Sequence, residues 1–332
     1  MQILIVKTSS LGDVIHTLPA VTDAKQRYPD LQFDWVVEEA FAEIPTWHPA
    51  IRHVIPVALR RWRKQILTTY LNGTWHQFKQ TLNSNKYDKI IDAQGLIKSS
   101  FLSYQASGTR CGLDYNSARE PLASVAYQKR YNIFKNQHAV TRVRQLFANV
   151  LDYKLPNTPP EYGIKNHFSQ QLNNKQIVFL HGTTWLTKHW PEDNWFKLAK
   201  LVTDVGLNIK VPWGNSDEQQ RALRIAAVHK NISLIPKGSL HDLAIILAQS
   251  QAVVGVDTGL AHLAAALSIP SITLYGATQP AKTGTYGDNQ QHLLANVPCS
   301  PCLNKKCSAN LICYNDLSVK KVWEALEKLL SS

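Results

Sequence analysis

Two series of short apolar strands, each interleaved with helix-length segments, constrain this chain more than anything else in it. In the first series the runs 3–7, 33–37, 53–57 and 89–92 are rich in Ile and Val and read as strands. Helix-like stretches cover 14–27 and 138–151. A second series starts near 176, with strands at 177–180, 209–213, 252–256 and 271–275 and helical segments at 195–205, 216–228, 240–248 and 260–267. Such alternation predicts parallel sheets covered on both faces, the α/β class. The stretch Leu155-Pro156-Asn157-Thr158-Pro159-Pro160 separates the series. Proline neither continues a helix nor serves a central strand, so this reads as a linker.

The length of 332 residues suits two domains, each with its own core. No apolar run approaches the roughly 20 residues that span a bilayer. The opening Met1-Gln2-Ile3-Leu4-Ile5-Val6-Lys7 is too short in its apolar part for a signal peptide, and a cytoplasmic protein is expected. The formal charge is +12, and residues 1–155 carry 20 Lys/Arg against 12 Asp/Glu. Such a surplus attracts nucleic acid, an anionic membrane surface or an acidic substrate. No nucleic-acid-binding module accompanies it, so nucleic acid is the least expected of the three.

In open α/β sheets ligands bind beyond the carboxyl ends of strands. After the first strand comes Thr8-Ser9-Ser10-Leu11-Gly12-Asp13, where Asp13 reads either as a helix cap or as a general base. After 252–256 comes Asp257-Thr258-Gly259, then a small-residue helix containing His262. Thr258 and Gly259 put backbone N–H groups at a helix N-terminus, where phosphates bind. Asp257, which a phosphate would repel, is expected to meet sugar or ribose hydroxyls. His262 taken alone reads as a packed core histidine. The loop His181-Gly182-Thr183-Thr184-Trp185-Leu186-Thr187-Lys188 offers hydroxyls and an ammonium to a phosphate. Arg60-Arg61-Trp62-Arg63-Lys64 is either a polyanion site or an exposed basic helix face.

The chain has no G-x-G-x-x-G fingerprint, P-loop or nucleophile elbow. It has no Asp-x-Asp pair to carry Mg²⁺ or Mn²⁺ to a diphosphate, which leaves Lys and backbone N–H groups to meet that charge. Cys299, Cys302, Cys307 and Cys313 form a C-x2-C-x4-C-x5-C run. That spacing allows a structural Zn²⁺, but the second pair is wider than the usual knuckle, which favours reduced thiols or disulfides in a loop.

Lys7-Thr8-Ser9-Ser10-Leu11-Gly12-Asp13-Val14-Ile15-His16-Thr17-Leu18-Pro19 resembles the N-terminal signature of the lipopolysaccharide heptosyltransferases, and Val256-Asp257-Thr258-Gly259-Leu260-Ala261-His262 resembles their donor-binding signature. The likeness extends through Phe33-Asp34-Trp35-Val36-Val37-Glu38-Glu39, the Arg60–Lys64 run, Asp92-Ala93-Gln94-Gly95-Leu96-Ile97-Lys98-Ser99, Ala118-Arg119-Glu120-Pro121-Leu122-Ala123-Ser124, Lys188-His189-Trp190-Pro191 and Pro212-Trp213-Gly214. These favour the members that add the first heptose. The cysteine run departs from that pattern and is more similar to members acting on an already heptosylated core.

The resemblance implies the GT-B architecture, two Rossmann-like domains facing each other across a cleft. It implies an acceptor domain over 1–155, a linker over 156–175, a donor domain over 176–316 and a helix over 317–332 that returns to the first domain. The implied reaction moves L-glycero-D-manno-heptose from ADP-heptose to Kdo2-lipid A by an inverting displacement with no metal or other cofactor, at an anionic inner-membrane surface. The implied base is Asp13, and Lys188 would stabilise the leaving diphosphate. Donor contacts would come from Ser9, Thr183, Thr184, Glu218, Asp257, Thr258, Gly259 and His262. Acceptor contacts would come from Ser10, Arg60, Arg61, Arg63, Lys64 and Arg119.

Overall fold

A computed structural model describes all residues except 66–68, 70, 169–171 and 332. The chain divides into two compact units, Met1–His167 and Phe168–Ser332. Each is built on a six-stranded parallel sheet.

The first sheet has the order β3-β2-β1-β4-β5-β6, with β1 Gln2–Val6, β2 Gln32–Glu38, β3 Ile51–Val57, β4 Lys89–Asp92, β5 Thr109–Leu113 and β6 Lys129–Tyr131. The second has the order β12-β11-β10-β7-β8-β9, with β7 Asn173–Leu180, β8 Asn208–Val211, β9 Ile232–Leu234, β10 Ser250–Val256, β11 Ser271–Tyr275 and β12 Gln290–Leu294. Read from the third strand of each unit, both sheets run 3-2-1-4-5-6, the doubly wound order. The order reverses between β1 and β4 in one unit and between β7 and β10 in the other. Those two crevices are where a ligand is expected, and the motif loops open onto them.

All eight expected strands form. The four unexpected ones, β5, β6, β9 and β12, lie toward the sheet margins and carry polar residues such as Arg110, Lys129, Arg130, Gln290 and Gln291. Strands near an edge need less apolar sequence, so periodicity alone does not reveal them. The helix expected over 14–27 is two helices, Leu11–Ile15 and Leu18–Arg27. Thr17 stands between them, with its hydroxyl on the Asp13 carbonyl at 3.0 Å.

The stretch expected to be a linker packs on the first unit. Arg144, in a buried ion pair with Asp23 (2.6 Å), also donates to the carbonyls of Pro156 and Thr158, and Tyr162 and Ile164 are buried. Val319–Ser331 packs on the second unit's own sheet, where Val322, Ala325 and Leu326 join the core with Trp190, Trp195 and Val254. Its apolar stripe fits the uncovered face of β10 and β11, and burial there satisfies it locally. No described helix is long and apolar enough to cross a membrane.

Candidate functional site

In the first unit β1 delivers Lys7 and the Thr8–Asp13 loop, and β4 delivers Asp92–Gly95. Gln94 fastens the two. Its Oε1 accepts the N–H of Thr8 (2.7 Å), the Thr8 hydroxyl (3.1 Å) and the N–H of Ser9 (3.2 Å), while its Nε2 donates to the Ser9 carbonyl at 2.5 Å. Gln94 is itself held by Asp92, whose Oδ1 accepts the N–H groups of Gln94 (2.8 Å) and Gly95 (3.1 Å). The other Asp92 oxygen accepts the Tyr127 hydroxyl at 2.7 Å. Burial pushes the Asp92 carboxyl up despite these bonds. Gly95 takes φ +67°, where a side chain would be strained.

Asp13 makes the helix-capping bonds open to its residue type in this loop. Its Oδ2 accepts the N–H (2.8 Å) and hydroxyl (2.9 Å) of Ser10, closing the first turn of Leu11–Ile15. Its Oδ1 lies 3.9 Å from Lys7 Nζ, and 31% of the side chain stays open. Burial alone would raise the carboxyl. Lys7, the Ser10 hydrogen bonds and Arg119 together outweigh it and hold Asp13 below the usual carboxylate range. Lys7, buried, is pushed down from its ordinary value, with Asp13 and Asp92 pulling it back, and its ammonium donates to the Ala93 carbonyl at 2.9 Å. Ser9 is buried with Lys98 Nζ 3.4 Å from its hydroxyl, and Ser10 is exposed.

The basic run forms the helix Leu59–Lys64, and its cations part company. Arg60 and Arg63, with Lys98, line a cavity of about 570 Å³ walled by Trp62, Trp75 and Phe101. Arg61 instead pairs with Glu39 at 2.9 Å, and Lys64 is exposed. Arg119 is exposed near Gly95 and acts on Asp13 through its charge.

In the second unit the loop after β7 and the loop after β10 meet in the same manner. Lys188 Nζ lies 2.7 Å from Asp257 Oδ2, which also accepts the Thr278 hydroxyl at 2.7 Å. Thr183 donates to the Asp257 carbonyl at 3.1 Å, and Thr184 is exposed in the same loop. Thr258 is the N-cap of Gly259–Ala266 and makes no side-chain cap bond, and the N–H of Ala261 donates to its carbonyl at 3.1 Å. His262 is buried on that helix, as a core histidine would be. Glu218 accepts the Gly214 N–H at 2.7 Å and lies so close to Gly182 that a Cβ there would sit 2.8 Å from its carboxyl carbon.

Sequence reasoning missed Thr278, which follows β11 as Asp257 follows β10. The shared position beyond a strand end was the available signal. It also set the cysteine run apart from the motif loops, and the fold joins them. Thr187 donates to the Asn304 carbonyl at 2.5 Å, Tyr314 donates to the Thr187 carbonyl at 2.9 Å, and the indole of Trp185 has Lys188 on it at 4.7 Å and Lys305 at 5.6 Å. All five cysteines are free thiols. Among the described residues no three His, Cys, Asp or Glu side chains are grouped to hold a metal ion. Cys307 Sγ accepts the N–H groups of Ala309 and Leu311, both at 3.3 Å, and burial beside the other three thiols pushes Cys313 up to about 11.

The family model described as glycosyltransferase family 9 (heptosyltransferase) matches residues 75–313. Lipopolysaccharide heptosyltransferase 1 of Pseudomonas aeruginosa is 49% identical, over 99% of this chain and 98% of its own length. The E. coli heptosyltransferase WaaC solved with ADP superposes with a TM-score of 0.91 at 45% identity, covering 99% of this chain and 100% of that one. The same enzyme with ADP-2-deoxy-2-fluoro heptose gives 0.88 at 45% identity, each chain covered to 99%. With two doubly wound units and this similarity across its whole length, the chain is a glycosyltransferase and belongs to glycosyltransferase family 9, the heptosyltransferases.

Proposed function

We propose that this chain transfers L-glycero-D-manno-heptose from ADP-heptose to Kdo2-lipid A, by a single inverting displacement that needs no metal ion. The donor is the class of molecule that the E. coli relative binds as its fluorinated analogue, and the reaction is the one for which the Pseudomonas relative is named. The observation that carries the reading is the Lys188–Asp257 pair at the start of the helix Gly259–Ala266.

An ammonium has three donors, so Lys188 can hold Asp257 and a diphosphate oxygen together. The backbone N–H groups after Thr258 supply the rest of the positive potential, which a metal would otherwise provide. With Oδ2 taken by Lys188 and Thr278, Asp257 keeps Oδ1 for a heptose hydroxyl. Glu218, which is braced against Gly182 and Gly214, holds the ribose hydroxyls in this reading. Asp13, ionised at neutral pH, takes the proton of the attacking acceptor hydroxyl. The new oxygen–carbon bond forms at C1 of the heptose as the bond from C1 to the phosphate oxygen breaks, and ADP departs with the electron pair. Arg60, Arg63 and Arg119 attract the acidic acceptor.

Incubation with ADP-heptose and Kdo2-lipid A should release ADP, and chelation with EDTA should leave the rate within about twofold. No ADP release under conditions where a control heptosyltransferase turns over would sink the reading. A preference for a heptosylated core acceptor presented alongside would move the chain to a later step. A rate abolished by EDTA and restored by Mg²⁺ would remove the metal-independent displacement.

A further inference from the structure

The segment that carries the four cysteines lies against both loops that reach Asp257. On one side is the Lys188 loop. The Thr187 hydroxyl donates to the Asn304 carbonyl at 2.5 Å, and the Thr187 carbonyl accepts the Tyr314 hydroxyl at 2.9 Å. On the other side is the loop after β11, which carries Thr278. There the Ser300 hydroxyl donates to the Gly276 carbonyl at 2.7 Å, and the Leu303 N–H donates to the Ala277 carbonyl at 2.9 Å. The two loops bring Lys188 Nζ and the Thr278 hydroxyl to the same oxygen, Asp257 Oδ2, each at 2.7 Å.

One side chain of the segment touches both loops. Tyr314 is buried on the short helix Cys313–Asp316, with its hydroxyl on Thr187 and the tip of its ring against Gly276. A Cβ at position 276 would sit 2.7 Å from Tyr314 Cζ, so a glycine there lets the phenol reach between the loops. Burial pushes the phenol up from its ordinary value, so it stays protonated and donates. A lysine side chain is long and loses much rotamer freedom when its ammonium is fixed, which makes the placement of its backbone decisive. The turn Leu186–Lys188 is only three residues long, and its hold on the cysteine-bearing segment supplies what a longer helix would supply by itself.

We infer that Tyr314 is a positioning residue for the transfer: by joining the Lys188 and Thr278 loops it sets both of their donors on one oxygen of Asp257 and leaves the other oxygen to a sugar hydroxyl. The inference rests on the reading of Lys188 as the ammonium that holds the departing diphosphate. A lysine set slightly out of place stabilises the developing charge less well, and that loss belongs to the transition state, so it is felt in kcat.

The test is Tyr314→Phe in the full chain, which keeps the ring against Gly276 and removes the hydroxyl alone. The kcat for ADP release should fall by about three- to tenfold, the value of one hydrogen bond. The KM for acceptor should stay within about twofold of wild type. Added to Lys188→Met, the same substitution should cost less than about twofold more, because the group it positions is gone. Amide hydrogen exchange needs no turnover: at 186–188 it should speed by about three- to tenfold, while β8 stays unchanged. A wild-type kcat in Tyr314→Phe overturns the proposal. So does a loss that multiplies with that of Lys188→Met, or faster exchange spread evenly over the second unit, since the hydroxyl would then serve folding alone. A wild type that releases no ADP defeats the reading of donor and acceptor instead, and exchange at 186–188 then decides the positioning, faster exchange in Tyr314→Phe supporting it and unchanged exchange overturning it.

Discussion

Asp13 sets its two carboxylate oxygens against different partners. Its Oδ2 closes the Leu11–Ile15 turn through Ser10, and its Oδ1 faces Lys7. Asn at this position retains an oxygen for the Ser10 N–H but cannot accept a proton at neutral pH. Asp13→Asn is therefore expected to lower kcat by about 10²–10⁴-fold, with the urea midpoint moving little. A large loss of stability with the rate preserved would make Asp13 a cap alone. Lys7→Met tests the electrostatics separately. Removing the cation that holds Asp13 below its ordinary range should raise its pKa, so the acid limb of the kcat/KM profile moves to higher pH. An unmoved limb would show that the limb belongs to another group. At this scale the sequence revealed residue types and their order but not their partners. Lys7 and Gln94 stand in the quoted motifs without any mark of their function, because hydrogen bonds between positions 86 residues apart have no local signature.

Among the elements, the loop after β1 has its shape from Gln94 on β4's loop rather than from its own residues. Gln94 serves as acceptor to three groups and donor to a fourth. Gln94→Glu keeps the size and removes the donor, setting a carboxylate against the Ser9 carbonyl. Leaving a buried polar group unsatisfied costs about 1–3 kcal/mol, and the variant should lose stability of that order together with activity. Urea unfolding and ADP release measured on the same preparation would check it, and a variant of wild-type stability and rate would show that Gln94 is dispensable. The strands flanking each crevice were legible because buried central strands need unbroken Val and Ile. Strands β5, β6, β9 and β12 were not, because near the margins neighbouring elements, not the strand's own composition, decide whether it pairs.

At the scale of the molecule, His48 in the first unit and His181 in the second are buried and held neutral. His48 in the first bonds the Thr22 hydroxyl at 3.0 Å, and His181 in the second bonds the Pro212 carbonyl at 3.1 Å. Burial pushes each down from 6.5 to about 4. Between those values the unfolded chain binds the extra proton, so this contribution to stability is complete above pH 6.5 and is lost as pH falls toward 4. Lowering the pH from 7 to 4.5 should cost each unit on the order of 2–3 kcal/mol from its histidine. Urea midpoints at the two pH values would measure it, and His48→Gln should flatten the dependence of the first unit alone. A midpoint independent of pH across that window would contradict the assignment.

By itself the sequence determined the two strand–helix series, the class of fold and the polar loops that follow the strand ends. Those are local properties: periodic burial writes strands and helices into the order of residues, and ligand loops follow strand ends. Only the tertiary structure decided that Lys188 is already paired with Asp257, that Arg61 turns to Glu39 while Arg60 and Arg63 line a cavity, and that the cysteine-bearing tail docks on the Lys188 loop. It also decided that the last helix covers the second sheet and that the helix Ile97–Gln105 turns its apolar side outward. An amphipathic pattern specifies that a helix has two faces. Which face is covered depends on what the rest of the chain brings to it, and that information is spread over contacts far apart in sequence.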